Sequence, residues 1–359
     1  MTDSQGSYNV FDKALHHCAF KTVKLQLKIA HYETEKYNID KQNIPINNPV
    51  FITSLPRAGT SILLNVLTNT EHFSFQTYQD MPFIFLPLIW DEFSRKFEKK
   101  IAKVERAHKD GLHINLQSPE AFEEAFFKAF WPQHYQKSQI PLWDTKHNLA
   151  YDEFFKCHIK KLIFRDKQKG HLNRTRYVSK NNLNISRVNY LSQLFPMATI
   201  LIPFRQPLQH AMSLLRQHQN FTQHHVNDRF SKIYMADIGH FDFGQNLKPV
   251  NFTNSNEKSK HKQNTLNFWL EYWVQTYSYL LNNKTGNCMF FSFDLLCQSP
   301  MTSLNHLADC LYLDPKMVLK SEGIIKKIKT HDIDLKSVNR QLIDKSNELQ
   351  SKLLALSVN

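Results

Sequence analysis

The segment FITSLPRAGTSILLNVL, residues 51–67, constrains the chain more than any other. Its beginning belongs to PVFITSL (49–55), a short apolar run bounded by proline that reads as a buried strand, and SILLNVL has the length and spacing of a helix. Between them stands Gly59, one of only 8 glycines in 359 residues, about 2% where ~7% is usual. A strand that turns this quickly into a helix leaves the first amides of the helix without intrahelical acceptors. Gly59, Thr60 and Ser61 therefore point N–H groups into one concavity at the positive end of the helix dipole, which suits a phosphate or sulfate oxyanion. Arg57 adds a planar cation at the mouth. Read from the residues alone, the same stretch is also compatible with a plain helix start and a solvated arginine.

The scarcity of glycine excludes two common nucleotide loops. No two glycines stand two residues apart, so the GxGxxG dinucleotide fingerprint is absent. The one pair at Walker A spacing, Gly239 and Gly244, is followed by Gln245 and Asn246 where a phosphate-binding loop has Lys and Ser or Thr. Lys and Arg number 45 against 32 Asp and Glu, a net charge of +13, which favours an anionic ligand or surface without choosing among them. Five cysteines, Cys18, Cys157, Cys288, Cys297 and Cys310, form no CxxC, and their odd number and scatter argue against a disulfide framework or a structural zinc. No HExxH occurs and the 18 histidines are dispersed, so no catalytic metal is expected. The N-terminus lacks a basic region followed by an apolar one, and the longest uncharged stretch, Val188 to Phe204, is broken by Pro196 and Pro203. The expectation is a soluble, cytoplasmic protein without a transmembrane segment.

Along the chain, residues 1–48 read as a helical extension, helical near Phe11 to Tyr37, ending in the turn-rich NIPINNP. After the first strand and helix, FSFQTY (73–78) reads as a second strand. Residues 81–170 change to aromatic-rich helical patterns, PFIFLPLIWDEFSRKF and SPEAFEEAFFKAFW, the latter opened by Ser118 with Pro119 at its first helical position. Strand and helix alternation resumes with RYVSKN (176–181), NISRVNYLSQLF, ATILIPFR (198–205) and PLQHAMSLLRQH, then LNFWLEYWVQTYSYLL, CMFFSFDLL and MTSLNHLADCLYL. Strands joined by helices of this length imply parallel crossovers, hence an α/β fold: a parallel sheet flanked by helices, with a helical insertion after the second strand. The domain boundaries expected are 1–48, 49–330 and a helical tail, 331–359.

PRAGTS resembles the 5′-phosphosulfate loop of the sulfotransferases that use 3′-phosphoadenosine 5′-phosphosulfate, written P-[KR]-[SA]-G-[TS]-[TS]. YVSKNNLNISRVNYLSQLFPMATILIPFRQPLQHAMSLL (177–215) is similar to the family's second signature: a lysine-led strand end, a helix, FP-x-A, an apolar strand ending in Arg, and a serine eight residues later. Together the two cover about 55 residues, and a weaker likeness to bacterial and carbohydrate-type members extends over most of 49–313, including SPEAFEEAFF, IGHFDFG and FFSFDLLCQSP. Two departures stand out. The common R-[DN]-P is Arg205-Gln206-Pro207, which alters a helix cap, and no RKG segment is found, which leaves part of the 3′-phosphate and adenine contacts unassigned.

The resemblance implies a P-loop-like fold and sulfuryl transfer to a hydroxyl or amine, on a carbohydrate or small metabolite, leaving adenosine 3′,5′-bisphosphate. Arg57, Ala58, Gly59, Thr60 and Ser61 would hold the 5′-phosphosulfate, and Arg205 and Ser213 the 3′-phosphate. Arg57 and Lys180 would stabilise the moving charge, with a solvated strand-end lysine as the plainer reading of Lys180. The family places its base after the second strand, where Asp80 stands. An N-cap role for Asp80 before the helix at Pro82 competes with that assignment, and His72 and Glu92 are further candidates. The abundant aromatics lie at helical spacing and read mostly as core, with some in 81–135 expected to line an acceptor pocket. A P-loop kinase is disfavoured because Arg57 replaces Gly-Lys and no magnesium ligand set is evident. A noncatalytic basic domain binding nucleic acid or an anionic surface is the other alternative.

Overall fold

The computed structural model describes residues 10–95, 104–105, 113–114, 116–120, 122–143, 147–253 and 259–359. Five strands form the central sheet: β1 (Val50–Ile52), β2 (Phe73–Ser74), β3 (Arg176–Lys180), β4 (Thr199–Phe204) and β5 (Cys288–Ser292). Their order is β2-β3-β1-β4-β5, and every pairing is parallel. This is the α/β architecture that the strand and helix alternation implies. Ile52 lies opposite Lys180 on one side and Leu201 on the other, so the chain leaves β1 between the ends of β3 and β4.

The strand sequences explain the layering. In β1, Val50 and Ile52 join one core cluster and Phe51 the other. In β4, Ile200, Ile202 and Phe204 face one way and Leu201 the other, and Phe290 and Phe291 divide likewise in β5. Alternation with period two, apolar on both faces, requires a cover on each face, and each fully buried Leu, Ile or Phe contributes roughly 1.5–3 kcal/mol. One face is covered by the helices Thr60–Thr68 and Pro300–Leu311, through Leu63, Leu67, Leu304 and Leu307. The larger face carries Glu123–Phe130, Leu149–Gln168, Val188–Leu194, Pro207–Asn227 and Leu266–Asn282.

Among the described residues, the helices of the insertion stand in other places than its sequence patterns imply, and its longest is Leu149–Gln168. PFIFLPLIWDEFSRKF gives a helix only over Ile89–Ser94 among the described residues, and Ser118-Pro119 does not open the next helix, which spans Glu123–Phe130. Instead Pro119 bridges Thr77 in antiparallel fashion and the Tyr78 amide donates to the Ser118 carbonyl at 3.2 Å. The expected strand 73–78 ends at Ser74, and a 3-10 turn follows at Tyr78–Asp80.

The helices Val23–Lys36 and Arg340–Ala355 pack into the same large core. Ala30 from the helix Val23–Lys36 and Ile343, Leu349 and Leu353 from the helix Arg340–Ala355 all belong to it. At the outer edge of β5, Ser357 forms a parallel bridge with Phe290 and the Val358 amide donates to the Phe290 carbonyl at 3.1 Å, which covers part of that edge. Among the described residues no helix is long and apolar enough to cross a membrane.

Candidate active site

In an open parallel sheet the crevice beyond the carboxyl ends of the strands, where chain connections diverge, is the natural place for a ligand. Here β1 is followed by Leu55 to Gly59, β3 ends at Lys180, and β4 is followed by Arg205; these three neighbouring strands deliver the charged residues of both sequence signatures to one edge.

The loop after β1 has an unusual backbone. Arg57 has φ +71° and Gly59 φ +90°, two left-handed residues within three positions. Such a sequence of turns aims successive amides at a common point and costs energy that the surroundings must offset. Two contacts hold it. His210, from the helix Pro207–Asn227, donates Nε2–H to the Pro56 carbonyl at 2.8 Å, and Arg205 donates Nη1–H to the Arg57 carbonyl at 3.0 Å. Burial pushes the His210 imidazole down to about 3, with the charges of Arg205 and Arg57 acting in the same direction, so the ring is neutral and a stable donor. Gly59 packs against Phe293: a Cβ there would lie 2.1 Å from a ring carbon.

The two signatures meet. Besides the Arg205 contact to the loop, Arg57 donates Nε–H to the Ser213 hydroxyl at 3.4 Å. Arg205 is nearly buried, its Nε has no hydrogen-bond partner, and its nearest carboxylate, Asp294, lies at 4.0 Å. A buried guanidinium with an unused donor fits an oxyanion. Asp294 accepts instead from the Gln206 amide at 2.6 Å, and Gln206 Oε1 accepts from the Gln209 amide at 2.7 Å. Glutamine thus performs the capping for which the family pattern uses Asp or Asn.

Beyond β3, Asn181 donates to Glu124 at 2.8 Å, and Glu124 is held by Arg187 Nη2 at 2.9 Å from both carboxylate oxygens. Arg187 lies between the rings of Phe127 and Trp143, 3.7 and 4.1 Å from their centroids. This buried network fixes the strand end that carries Lys180. The next residue, Asn182, accepts from the Thr60 hydroxyl at 3.5 Å and donates to Asp242 at 3.1 Å. Asn182 and Asp242 were not singled out by sequence reasoning; Asp242 lies in IGHFDFG, a segment noted there only for its diffuse likeness.

The three carboxylate and histidine candidates for the base fall elsewhere. Asp80 is 3% exposed, accepts from the Thr77 amide at 2.7 Å and from Arg165, and completes a capping box whose N-cap is Thr77. Its carboxylate accepts from within the fold, in the geometry of the competing capping reading, with Asp80 as the third residue of the turn instead of its N-cap. His72 precedes β2 and so sits at the opposite edge of the sheet, where its carbonyl accepts from the Arg176 amide at 3.2 Å. Glu92 pairs with Lys36 at 3.6 Å on the surface. Much of the aromatic content of the insertion, Phe126, Phe127, Trp131, Tyr135 and Tyr151 among it, is core.

The family model described as "Sulfotransferase family" matches residues 49–242, more than half of the chain, and its span runs from the first strand to Asp242. The chain belongs to the sulfotransferase family. No curated protein matches it in sequence. Among solved structures, this sulfotransferase is similar to sulfotransferase STF9 from Mycobacterium avium, with a TM-score of 0.54 at 10% identity over 98% of this chain and 87% of that one. STF1 from Mycobacterium tuberculosis H37Rv is also similar, at a TM-score of 0.42 and 10% identity, covering 91% and 81% of the two chains.

Proposed function

We propose that this sulfotransferase moves a sulfuryl group from 3′-phosphoadenosine 5′-phosphosulfate to a hydroxyl or amine acceptor. The observation that supports this reading most is the joining of the two signatures: Arg205 to the Arg57 carbonyl, and Arg57 to Ser213. Side by side, the two signatures would hold a ligand with two anionic ends, one over the amides of Gly59, Thr60 and Ser61 and one beside Arg205 and Ser213. The donor supplies an activated sulfur(VI) centre and a phosphate leaving group.

The chain's own residues then have distinct tasks. The amides of the loop, with Ala58 buried behind them, bind the 5′ end and fix its orientation. Arg57 and Lys180 offset the charge that builds on the sulfuryl and leaving-group oxygens, and being held in place beforehand they need little reorganisation. Arg205 and Ser213 bind the 3′-phosphate through a charge-assisted and a neutral hydrogen bond.

Release of adenosine 3′,5′-bisphosphate from the donor tests the assignment. Arg57→Ala is expected to lower turnover by roughly 10²-fold or more while bisphosphate affinity falls much less, because a charge that acts in the transition state affects kcat. Equal losses in both would make Arg57 a binding residue and remove it from the chemistry.

A further inference from the structure

We propose that Asp242 takes the proton from the acceptor hydroxyl. The proposal rests on the reading of the site as a place of sulfuryl transfer, and adds to it the proton acceptor.

The geometry begins at the helix that ends the loop. Thr60 opens that helix, its hydroxyl donates to Asn182 Oδ1 at 3.5 Å, and Asn182 Nδ2 donates to Asp242 Oδ2 at 3.1 Å. A single buried side chain therefore separates the carboxylate from the concavity that would hold the sulfuryl group. Asp80, by contrast, is tied to Arg165 and the Thr77 amide. Asp242 also keeps partial exposure, and lines a narrow cavity together with Leu55 and Pro56, the residues leading into Arg57, and with Phe241, Trp269 and Tyr272. The cavity wall is thus largely apolar, with a carboxylate in it. Lys248 is part of the same wall, and its ammonium donates to the Tyr135 carbonyl.

The electrostatics agree. Burial raises the Asp242 carboxyl above its ordinary value, the charges of His240 and Lys180 and the Asn182 hydrogen bond oppose the rise, and the Glu124 carboxylate adds to it. A carboxylate raised in this way is a stronger proton acceptor than an exposed one. In the step, the acceptor oxygen forms a bond to sulfur, and the bond between sulfur and the bridging oxygen breaks with its electron pair leaving on the 5′-phosphate. The hydroxyl proton passes to Asp242, and sulfur stays at the same oxidation level.

The test uses Asp242→Asn, which keeps an oxygen for Asn182 and cannot take a proton. Calorimetry with adenosine 3′,5′-bisphosphate is expected to give an affinity within about twofold of wild type, since the substitution is remote from Arg205 and Ser213. Transfer from the donor to phenol should fall by roughly 10²- to 10⁴-fold. The deficit should shrink with a nitrophenolate that is already ionised at the assay pH, and the acid limb of the wild-type pH–rate profile should vanish in the variant. A variant that binds bisphosphate and transfers to phenol at near wild-type rate overturns the assignment, as does an equal loss with phenol and nitrophenolate. If wild-type protein binds bisphosphate but sulfates neither phenol, donor hydrolysis is read in their place and an unchanged rate in the variant overturns the assignment, whereas wild-type protein that fails to bind bisphosphate overturns the underlying reading of the site instead.

Discussion

Gly59 shows how one residue can be required twice. Its φ of +90° lies in the left-handed region, and a Cβ would sit 2.1 Å from the Phe293 ring. Gly170 has a similar φ of +86° but open space around it. Gly170→Ala therefore isolates the backbone term, about 1 kcal/mol or slightly more, while Gly59→Ala should cost more than that and displace the loop. Denaturant unfolding of both variants checks the difference, and calorimetry should find bisphosphate binding weakened only in Gly59→Ala. At this scale the sequence was informative wherever the chemistry is local. Arg57 and Gly59 share one turn, and Arg205 and Ser213 share a strand end and the second turn of a helix, so their neighbourhood can be read from spacing. The ion pair of Asp80 was not legible, because its partner, Arg165, is 85 residues away and nothing in the local pattern shows that the two are buried together. Asn182 and Asp242 escaped notice for the same reason, since their link spans 60 residues.

Among the elements, the helix Pro207–Asn227 does more than carry Ser213. At its start His210 braces the loop, and further along His218 and His225, one heptad apart, accept through Nδ1 from the consecutive amides of Gly244 and Gln245 at 3.1 and 3.2 Å. They thereby tether the segment that follows Asp242. Burial lowers the pKa of both rings, and for His225 the charges of His224 and Lys232 lower it further while Asp228 opposes them. In the unfolded chain these histidines protonate near ~6.5, so below that pH the unfolded state binds more protons and stability falls with falling pH. The contribution is complete above ~6.5 and is lost as pH drops through the depressed folded values. Unfolding midpoints at several pH values should fall less steeply on the acid side for His218→Gln/His225→Gln, whose amide oxygens can accept the same bonds without titrating. The sheet strands and the helices Pro207–Asn227 and Leu266–Asn282 were legible from periodicity, whereas Leu149–Gln168 lay unmarked within the insertion and Ser118-Pro119 was not legible: the pair has the chemistry of a helix start, and pairing with Thr77 overrides it.

Across the whole molecule, the N-terminal helix is bound to the sheet-covering layer by a buried ion pair. Glu33 is 0% exposed and lies 3.0 Å from Lys161, itself 2% exposed, while the Leu88 and Ile89 amides donate to Glu33 at 2.9 and 2.7 Å. Burial raises the Glu33 carboxyl despite these partners. Glu33→Ala would leave a buried ammonium and two amides without their acceptor and should cost about 3–5 kcal/mol, read from denaturant midpoints. Replacing both charges by methionine should recover part of that loss. No periodicity in residues 10–36 marks this attachment, because a single carboxylate makes it. At the carboxyl ends of the strands the two separate signatures meet, and one anionic ligand is proposed to join them. Calorimetric titration of adenosine 3′,5′-bisphosphate into wild type, Arg205→Ala and Ser213→Ala tests it most directly. The account predicts binding by wild type, weakened by roughly 1.5–3 kcal/mol without the Arg205 guanidinium and by about 1 kcal/mol without the Ser213 hydroxyl. Folded wild-type protein that does not bind the bisphosphate, or a folded Arg205→Ala protein that binds it unchanged, would contradict it.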